Sequence, residues 1–562
     1  MDGTTNITRH AVPDAYGLNL YTADPASARL ASLYLPPDLD AHLVPHLRRL
    51  GALAGGELDR LAGEADRNKP VLHSRTRRGE DIQRIEKHPA YREMERLAFG
   101  EYGLAALSHR GGVLGWSERM PPVAKYLLTF LFVQAEFGLM CPVSMTDSLT
   151  RTLGKFGAPE LVARFLPGLL SQDMDALSQG AMFMTEQGAG SDVGASAVTA
   201  TPTPDGNWAL HGDKWFCSNP DAALAMVLAR PDGAMPGIKG VGLFLLPRVR
   251  PDGTDNAYRI VRLKDKLGTR SMASGEIRLE GATAYLVGDD PREVGGAGFR
   301  QMADMVNNSR LSNGVRAAGL MRRAVTEALY VARHREAFGK RLLDMPLMRR
   351  QLAKMIVWAE QARSMMLQTA EALRQADAGD AEAYRLLRIM TPLLKFRACR
   401  DARRVTGDAM EVRGGCGYIE EWSDARLVRD SHLGSIWEGT SNVVALDVLR
   451  AAAREGSLAA LRSHLVRLTA ESGFSEVLAP FEGAVALAEH AQAGNTAHAR
   501  QAASALYHVT AAAVMAWEAA RMADPARLTM ARMVLRHRVL PRDPLMPEDD
   551  ADPMQALLDY GL

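Results

Sequence analysis

The chain has 562 residues, 47% hydrophobic and 24% charged, which is the range of a folded globular protein with room for three or four domains. Lys+Arg number 67 and Asp+Glu 66, so there is no global electrostatic case for nucleic acid, and any basic surface has to be local. The four cysteines (Cys141, Cys217, Cys399, Cys416) are too few for a disulfide scaffold and lack metal-ligand spacing. With no signal-peptide core and no long apolar run, the expectation is a cytoplasmic protein with no metal and no membrane partner.

Residues 1–180 read mainly as helix and loop. "PPDLDAHLVPHLRRLGALAGGELDRLAGEAD" has helical periodicity, and "PPVAKYLLTFLFVQAEFGLM" is an apolar helical run with polar ends. From 181 to 295 the texture changes to short runs such as "NWALHGDKWFCS", "AMVLARP", "GVGLFLLPRV" and "GEIRLEGATAYLVG", parted by Gly, Pro and Asp-Gly turns. No helix-length segment separates them, which predicts an antiparallel β domain. After "GGAG" helical patterns return over 296–451. Ala317, Met321, Val325 and Leu329 step by four, and Leu352, Ile356, Ala359, Met366, Ala370 and Leu373 form a second apolar stripe. Residues 452–562 are Ala-rich and helical, ending in an acidic, Pro-containing tail. The order predicts an α+β protein, mostly α, in four parts: 1–180, 181–295, 296–451 and 452–562.

Five stretches carry chemistry. "MFMTEQGAGSDVGA" (182–195) interleaves Gly188, Gly190 and Gly194 with Thr185, Ser191 and Asp192. Such a loop lets backbone N–H groups approach an anion or a flat polar ring; a plain surface loop is the alternative. "GDKWFCSNP" (212–220) sets Trp215 and Phe216 before Ser218, either core aromatics or a platform for a planar cofactor. "RHREAFGKRLLDMPLMRR" (333–350) and "MEVRGGCGYIEE" (410–421) put Gly breaks beside arginines or an acid; as plain structure they are a C-cap and a helix–helix turn. In "GSIWEGTSN" (434–442), Glu438 stands between an Ile-Trp pair and a Gly-Thr-Ser-Asn turn. It is either an acid at a helix start, with Thr440, Ser441 or Asn442 as N-cap, or a base set against apolar neighbours.

In sequence, order and spacing these five stretches resemble the acyl-CoA dehydrogenase family of flavoproteins. The resemblance covers about 180–450 strongly and the helical part before it more weakly. The pattern "QAEFGLMCPVSMT" and the helical appendage are similar to the alkylation-response (AidB-like) branch. It implies an N-terminal helical domain, a middle β domain, a four-helix bundle carrying the catalytic base, and an extra helical domain. The implied reaction is α,β-desaturation of an acyl-CoA with FAD as cofactor, a base taking the α proton while a hydride leaves the β carbon for flavin N5. By motif position Glu438 is the base, and desolvation by Ile436, Trp437 and the acyl chain would raise its pKa. Arg310, in "NNSRLSNG", matches a family arginine close to it. Met184 and Gly190 belong to the flavin loop, Thr185 and Ser218 would bond the flavin edge, and Phe216 would pack on it. Ser191 would sit near the diphosphate or the substrate, and Thr440 and Asn442 would lie toward the diphosphate. Arg335, Phe338, Glu411, Gly414 and Gly415 would reach a neighbouring subunit's FAD, which implies a homotetramer. Gln187, Ala337 and Glu411 depart from the family's usual proline, hydroxyl residue and glutamine.

The implied acceptor is an electron-transfer flavoprotein or oxygen. The competing reading is a flavoprotein of the alkylation response that binds or protects DNA, with weak or vestigial dehydrogenase activity. Its local footprint would be "RLTMARMVLRHRVLPR" (527–542), where Arg532 and Arg536 share a helical face and would meet duplex phosphates weakly and without sequence preference. The alternative for these arginines is bridging to acids of neighbouring helices.

Overall fold

The structure is a computed structural model and describes residues 11–543, 545–547 and 551–560. Residues 1–10 and Glu548, Asp549 and Asp550 of the acidic tail lie outside the described residues. The chain opens with helices α1 (Pro25–Tyr34), α2 (Pro37–Gly55), α3 (Glu57–Arg67), α4 (Pro89–Glu95), α5 (Pro122–Phe132), α6 (Met140–Phe156) and α7 (Pro159–Leu169). Proline starts α1, α2, α4, α5 and α7, where its missing N–H would have had no helical partner. The sequence reading missed a hairpin here, β1 (Val71–Arg75) with β2 (Asp81–Glu86). Its residues are mostly polar, in keeping with how little of it is buried. Gln83 ties it to the middle domain by accepting from the Ile260 N–H at 2.8 Å.

The middle domain holds β3 (Gly180–Phe183), β4 (Thr199–Pro202), β5 (Trp208–Ser218), β6 (Leu224–Pro231), β7 (Gly242–Pro247), β8 (Tyr258–Leu263) and β9 (Ser274–Leu286). Most pairs are antiparallel, as the short turns predicted, but β6 runs parallel to β3 and β4. The β4–β5 excursion between β3 and β6 supplies the crossover that parallel neighbours need. The pairings β4–β5–β9–β7–β6–β4 close on themselves around a core of Trp208, Val227, Phe244 and Ile277.

The bundle consists of α8 (Ala297–His334), α9 (Pro346–Asp377), α10 (Ala381–Arg413), α11 (Ser423–Ser431) and α12 (Ser441–Arg454). Every residue of the two apolar stripes is buried. The appended helices are α13 (Ser457–Ser472), α14 (Leu478–Gln492), α15 (Ala499–Met522), α16 (Pro525–Arg538) and α17 (Ala551–Tyr560). α15 buries Ala502, Ala503, Ala511, Ala512 and Ala513, and these thin side chains let it pack closely on α9, α10 and α12.

A buried ionic cluster fastens this appendage. Arg527 donates to Glu518 at 2.6 Å and to Glu360 of α9 at 2.8 Å, and Tyr34 of α1 donates to Glu518 at 2.8 Å. Arg363 joins Glu360 to Asp24. The bridging alternative therefore describes Arg527, and also Arg532, which pairs with Glu476 at 3.2 Å. Arg538 lies over the Trp358 ring at 4.2 Å.

Candidate active site

Glu438 sits just before α12 in a left-handed conformation, φ 50°, followed by Gly439 at φ 99°. Two consecutive residues of this kind turn the chain sharply and aim the carboxylate back at α8, at the strain cost of a non-glycine in that region. Its Oε1 accepts from Ser309 Oγ at 2.9 Å and its Oε2 from Asn313 Nδ2 at 2.5 Å. The nearby cations hold the backbone instead. Arg310 Nε donates to the Glu438 carbonyl at 3.0 Å, and Lys395 Nζ to the Gly439 carbonyl at 2.5 Å. Asp447 of α12 receives Arg310 at 2.7 Å and Arg388 at 2.8 Å, so Arg310 positions the turn without touching the carboxylate. Trp437 is half-buried, stacked on Phe137 at 6.0 Å with the buried Arg316 guanidinium 4.7 Å over its ring. Ile436, by contrast, is 58% exposed, so the apolar setting comes from Trp437 alone.

Glu438, Arg310, Met184, Gly190 and Ser191 line one cavity of about 1640 Å³ between the flavin-like loop, α6, α8 and α12. The loop is anchored from beneath. Buried Lys214 donates to Glu186 at 2.7 Å, and Glu186 also accepts from the Ala197 N–H at 2.6 Å. Thr185 accepts the Trp215 N–H on its carbonyl at 2.9 Å, which ties the loop to β5. On β5, Phe216 is 56% exposed and Ser218 Oγ lies 3.5 Å from Ser274 Oγ. Thr440 takes the N-cap position of α12, yet makes no side-chain cap, and Asn442 is exposed beside it.

The remaining residues gather elsewhere. Arg335, Phe338, Glu411, Gly414 and Gly415 do not line the cavity. Arg335 donates to the Arg413 carbonyl at 3.5 Å, which brings the two segments together. Phe338 is 97% exposed at the tip of a two-residue hairpin turn, with φ 54°. Residues the sequence reading missed are Ser309, Asn313, Lys395, Arg388 and Asp447. The available signal was the Ser309/Asn313 pair at i, i+4 beside Arg310 on a helix otherwise marked by apolar periodicity.

A flavin dinucleotide suits what is present. Gly188, Gly414 and Gly415 have open space where a side chain would stand, so a ligand can approach the backbone. Phe216 offers an exposed ring. The uncapped start of α12 presents free N–H groups to an anion, and Arg400 and Arg403 reach Ser441 and Ser435 beside it at 3.4 and 3.5 Å.

Three family descriptions match in order: the adaptive response protein AidB N-terminal domain over 11–176, the acyl-CoA dehydrogenase middle domain over 181–282, and the acyl-CoA dehydrogenase C-terminal domain over 296–453. The chain is 35% identical to the putative acyl-CoA dehydrogenase AidB of Escherichia coli, over 72% of each chain. It is 32% identical to acyl-CoA dehydrogenase family member 11 of Caenorhabditis elegans, over 77% of this chain and 70% of that one. The structure of C. elegans ACDH-11 in complex with C11-CoA superposes with a TM-score of 0.87 at 26% identity, covering 96% of this chain and 95% of that one. The protein Bd2924 in its apo form gives 0.83 at 31% identity, covering 91% and 99%. Among the described residues no helix is long and apolar enough to cross a membrane. The chain belongs to the acyl-CoA dehydrogenase family of FAD-dependent oxidoreductases, with the N-terminal domain of its AidB branch.

Proposed function

We propose that the protein desaturates an acyl-CoA thioester between its α and β carbons, with Glu438 as the base. The observation that carries this is a single carboxylate, held by Ser309 and Asn313, on the wall of a cavity shared with the flavin-like loop. Glu438 takes the α proton. Ser309 and Asn313 fix both oxygens, so the carboxylate meets the substrate in one orientation. Arg310 and Lys395 keep the strained turn at 438–439 from relaxing. FAD, when bound, supplies the hydride acceptor for the β carbon. Thr185, Phe216 and Ser218 suit its ring system, and Thr440, Asn442 and Ser191 suit its diphosphate.

The exposed Phe338 tip with Arg335, Gly414 and Gly415 suits a neighbouring subunit's FAD, in a homotetramer. Glu411 is exposed beside them, which leaves its carboxylate free to turn from phosphate. The electron acceptor is then an electron-transfer flavoprotein or oxygen, and the compartment the cytoplasm. Nucleic acid is left out of the proposal, because Arg527 is engaged inside the protein and Arg532 and Arg538 have protein partners.

The deciding experiment is anaerobic titration of the purified yellow protein with acyl-CoAs of several lengths while following flavin absorbance. Bleaching of oxidised flavin is the expected outcome. A protein that binds FAD and is reduced by dithionite, but by no acyl-CoA, would reject the reading.

A further inference from the structure

The cavity that holds Glu438 is lined in part by apolar side chains such as Leu166, Leu170, Met302 and Leu311, but not by these alone. Part of its lining is a buried charged cluster. Asp147 of α6 accepts from Lys125 of α5 at 2.9 Å, from His109 Nε2 at 2.8 Å and from Asn308 of α8 at 2.9 Å. Asn308 adjoins Ser309, whose hydroxyl holds the base, so this cluster stands next to the reacting end of the cavity. Burial, which it shares with Arg310, Arg388 and Asp447, separates it from the cavity's solvated charges. The Lys125 and Asp147 side chains are 6% and 7% exposed, whereas Lys155 and Arg374, on the same lining, are 47% and 49% exposed. The lining therefore has a solvated rim of paired charges, Lys155 with Asp304 and Arg374 with Glu371, and a dry polar floor near the base. The pair Lys125–Asp147 also borders a second void of about 10 Å³, lined by Leu104, Tyr126, Met140 and Val143 and by the hydroxyl residues Thr129, Ser144 and Ser312. It stands as a partition between the cavity and that small, mixed space.

We propose that the Lys125–Asp147 pair, braced by His109 and Asn308, is the specificity wall for the acyl group. The site takes short acyl chains, or chains ending in a hydrogen-bonding group, and rejects long unbranched alkyl tails. This rests on the acyl-CoA reading of the Glu438 cavity. A methylene gains from burial only against apolar atoms. Passing the wall would part an ion pair in a dry setting and strand two charges, which costs more than several methylenes return. A hydroxyl at the chain end instead finds a donor at hand in Lys125 and an acceptor in Asp147.

The test compares kcat/KM for flavin reduction by butyryl-, octanoyl- and dodecanoyl-CoA, and by hexanoyl-CoA with and without a terminal hydroxyl. Wild type should lose about tenfold or more from butyryl- to dodecanoyl-CoA, and the hydroxyl should raise kcat/KM by about threefold or more. The double substitution Lys125→Met/Asp147→Leu replaces the pair by apolar groups of similar size, a change that usually preserves folding where a single substitution would strand a charge. It should move the preference toward dodecanoyl-CoA by about tenfold or more. Binding constants in Glu438→Gln, read from the flavin spectrum without turnover, should follow the wild-type order, so the proposal does not depend on the double variant folding. Wild type that uses dodecanoyl-CoA as well as butyryl-CoA, or a folded double variant with the wild-type profile, overturns the wall and leaves the dehydrogenase reading intact. A flavin that no thioester reduces overturns both.

Discussion

Glu438 and Glu518 are both carboxylates locked by hydrogen bonds, and they are locked in opposite ways. Glu518 is fully buried and takes a guanidinium directly, Arg527 at 2.6 Å, with Tyr34 and Ser364 on its remaining lone pairs. Glu438 opens on a cavity and takes only neutral donors, Ser309 and Asn313, although Arg310 and Lys395 are close enough to bond the carbonyls of 438 and 439. A cation in direct contact favours the charged form of a carboxylate and makes it a poorer proton acceptor. Cations held one bond away stabilise the turn and leave the carboxylate able to react. The two glutamates thus separate a charge used for holding from a charge left open for the proton transfer proposed above.

The largest way to break this comparison is Glu438→Gln. The amide keeps the shape but cannot take the proton, so the rate of flavin reduction by acyl-CoA should fall on the order of a thousandfold, with FAD content and Tm unchanged. Stopped-flow absorbance decides it, and a rate near wild type would mean the base lies elsewhere. Arg527→Met tests the other side. It strands buried Glu518, so stability should drop by about 3 to 5 kcal/mol, read from the denaturation midpoint, while the rate per folded, flavin-loaded molecule stays the same. Equal stability would show that the cluster is not a fastening.

Between these lies Asn313→Ala. It frees one carboxylate oxygen without removing the base, and a rate loss of roughly ten- to a hundredfold is expected from misorientation. A loss as deep as that of Glu438→Gln would assign Asn313 a direct part in the reaction.

The smallest effect concerns a third carboxylate, the buried Asp430. Burial raises its pKa from 3.8 to about 7; Glu136 and Asp66 add to the rise, against a hydrogen bond from the Thr269 N–H. The unfolded chain loses this proton first as pH rises. The stability the proton contributes is therefore full below about pH 4 and lost as pH climbs toward 7. Asp430→Asn keeps an oxygen for Thr269 and removes the titration, so Tm measured against pH should be flatter between about 4 and 7 than in wild type. Parallel curves for the two proteins would contradict it.

How much of this was legible in the sequence follows from how local each feature is. The flavin-like loop, the β5 aromatics and the Glu438 turn are each short stretches whose glycines and hydroxyls need no partner to be noticed. The four-part order showed in the switch from helical to strand-like periodicity and back. The hairpin at 71–86 was hidden because its charged alternation looks like loop. The parallel place of β6 was hidden because pairing partners are not written in a strand's own residues. Ser309, Asn313, Lys395 and Asp447 converge on one turn from three helices, and polar residues within a helix read as solvent-facing until the fold shows what covers them. Ile436 failed for the converse reason, an apolar residue taken as buried that is exposed. Arg527 looked like its neighbours in a basic run, and only packing set it apart.

The ionic cluster also says something about the order in which the molecule can be finished. Asp24 is 1% exposed, and its partners Arg322 and Arg363 emerge some three hundred residues later. At ordinary synthesis rates the first helix waits on the order of tens of seconds before its acid has a counter-charge. The appendage faces no such wait. Glu518 and Arg527 arrive nine positions apart and neutralise each other. The appendage thus brings to the bundle an arginine that carries its own counter-charge nine positions earlier and reaches Glu360 as well.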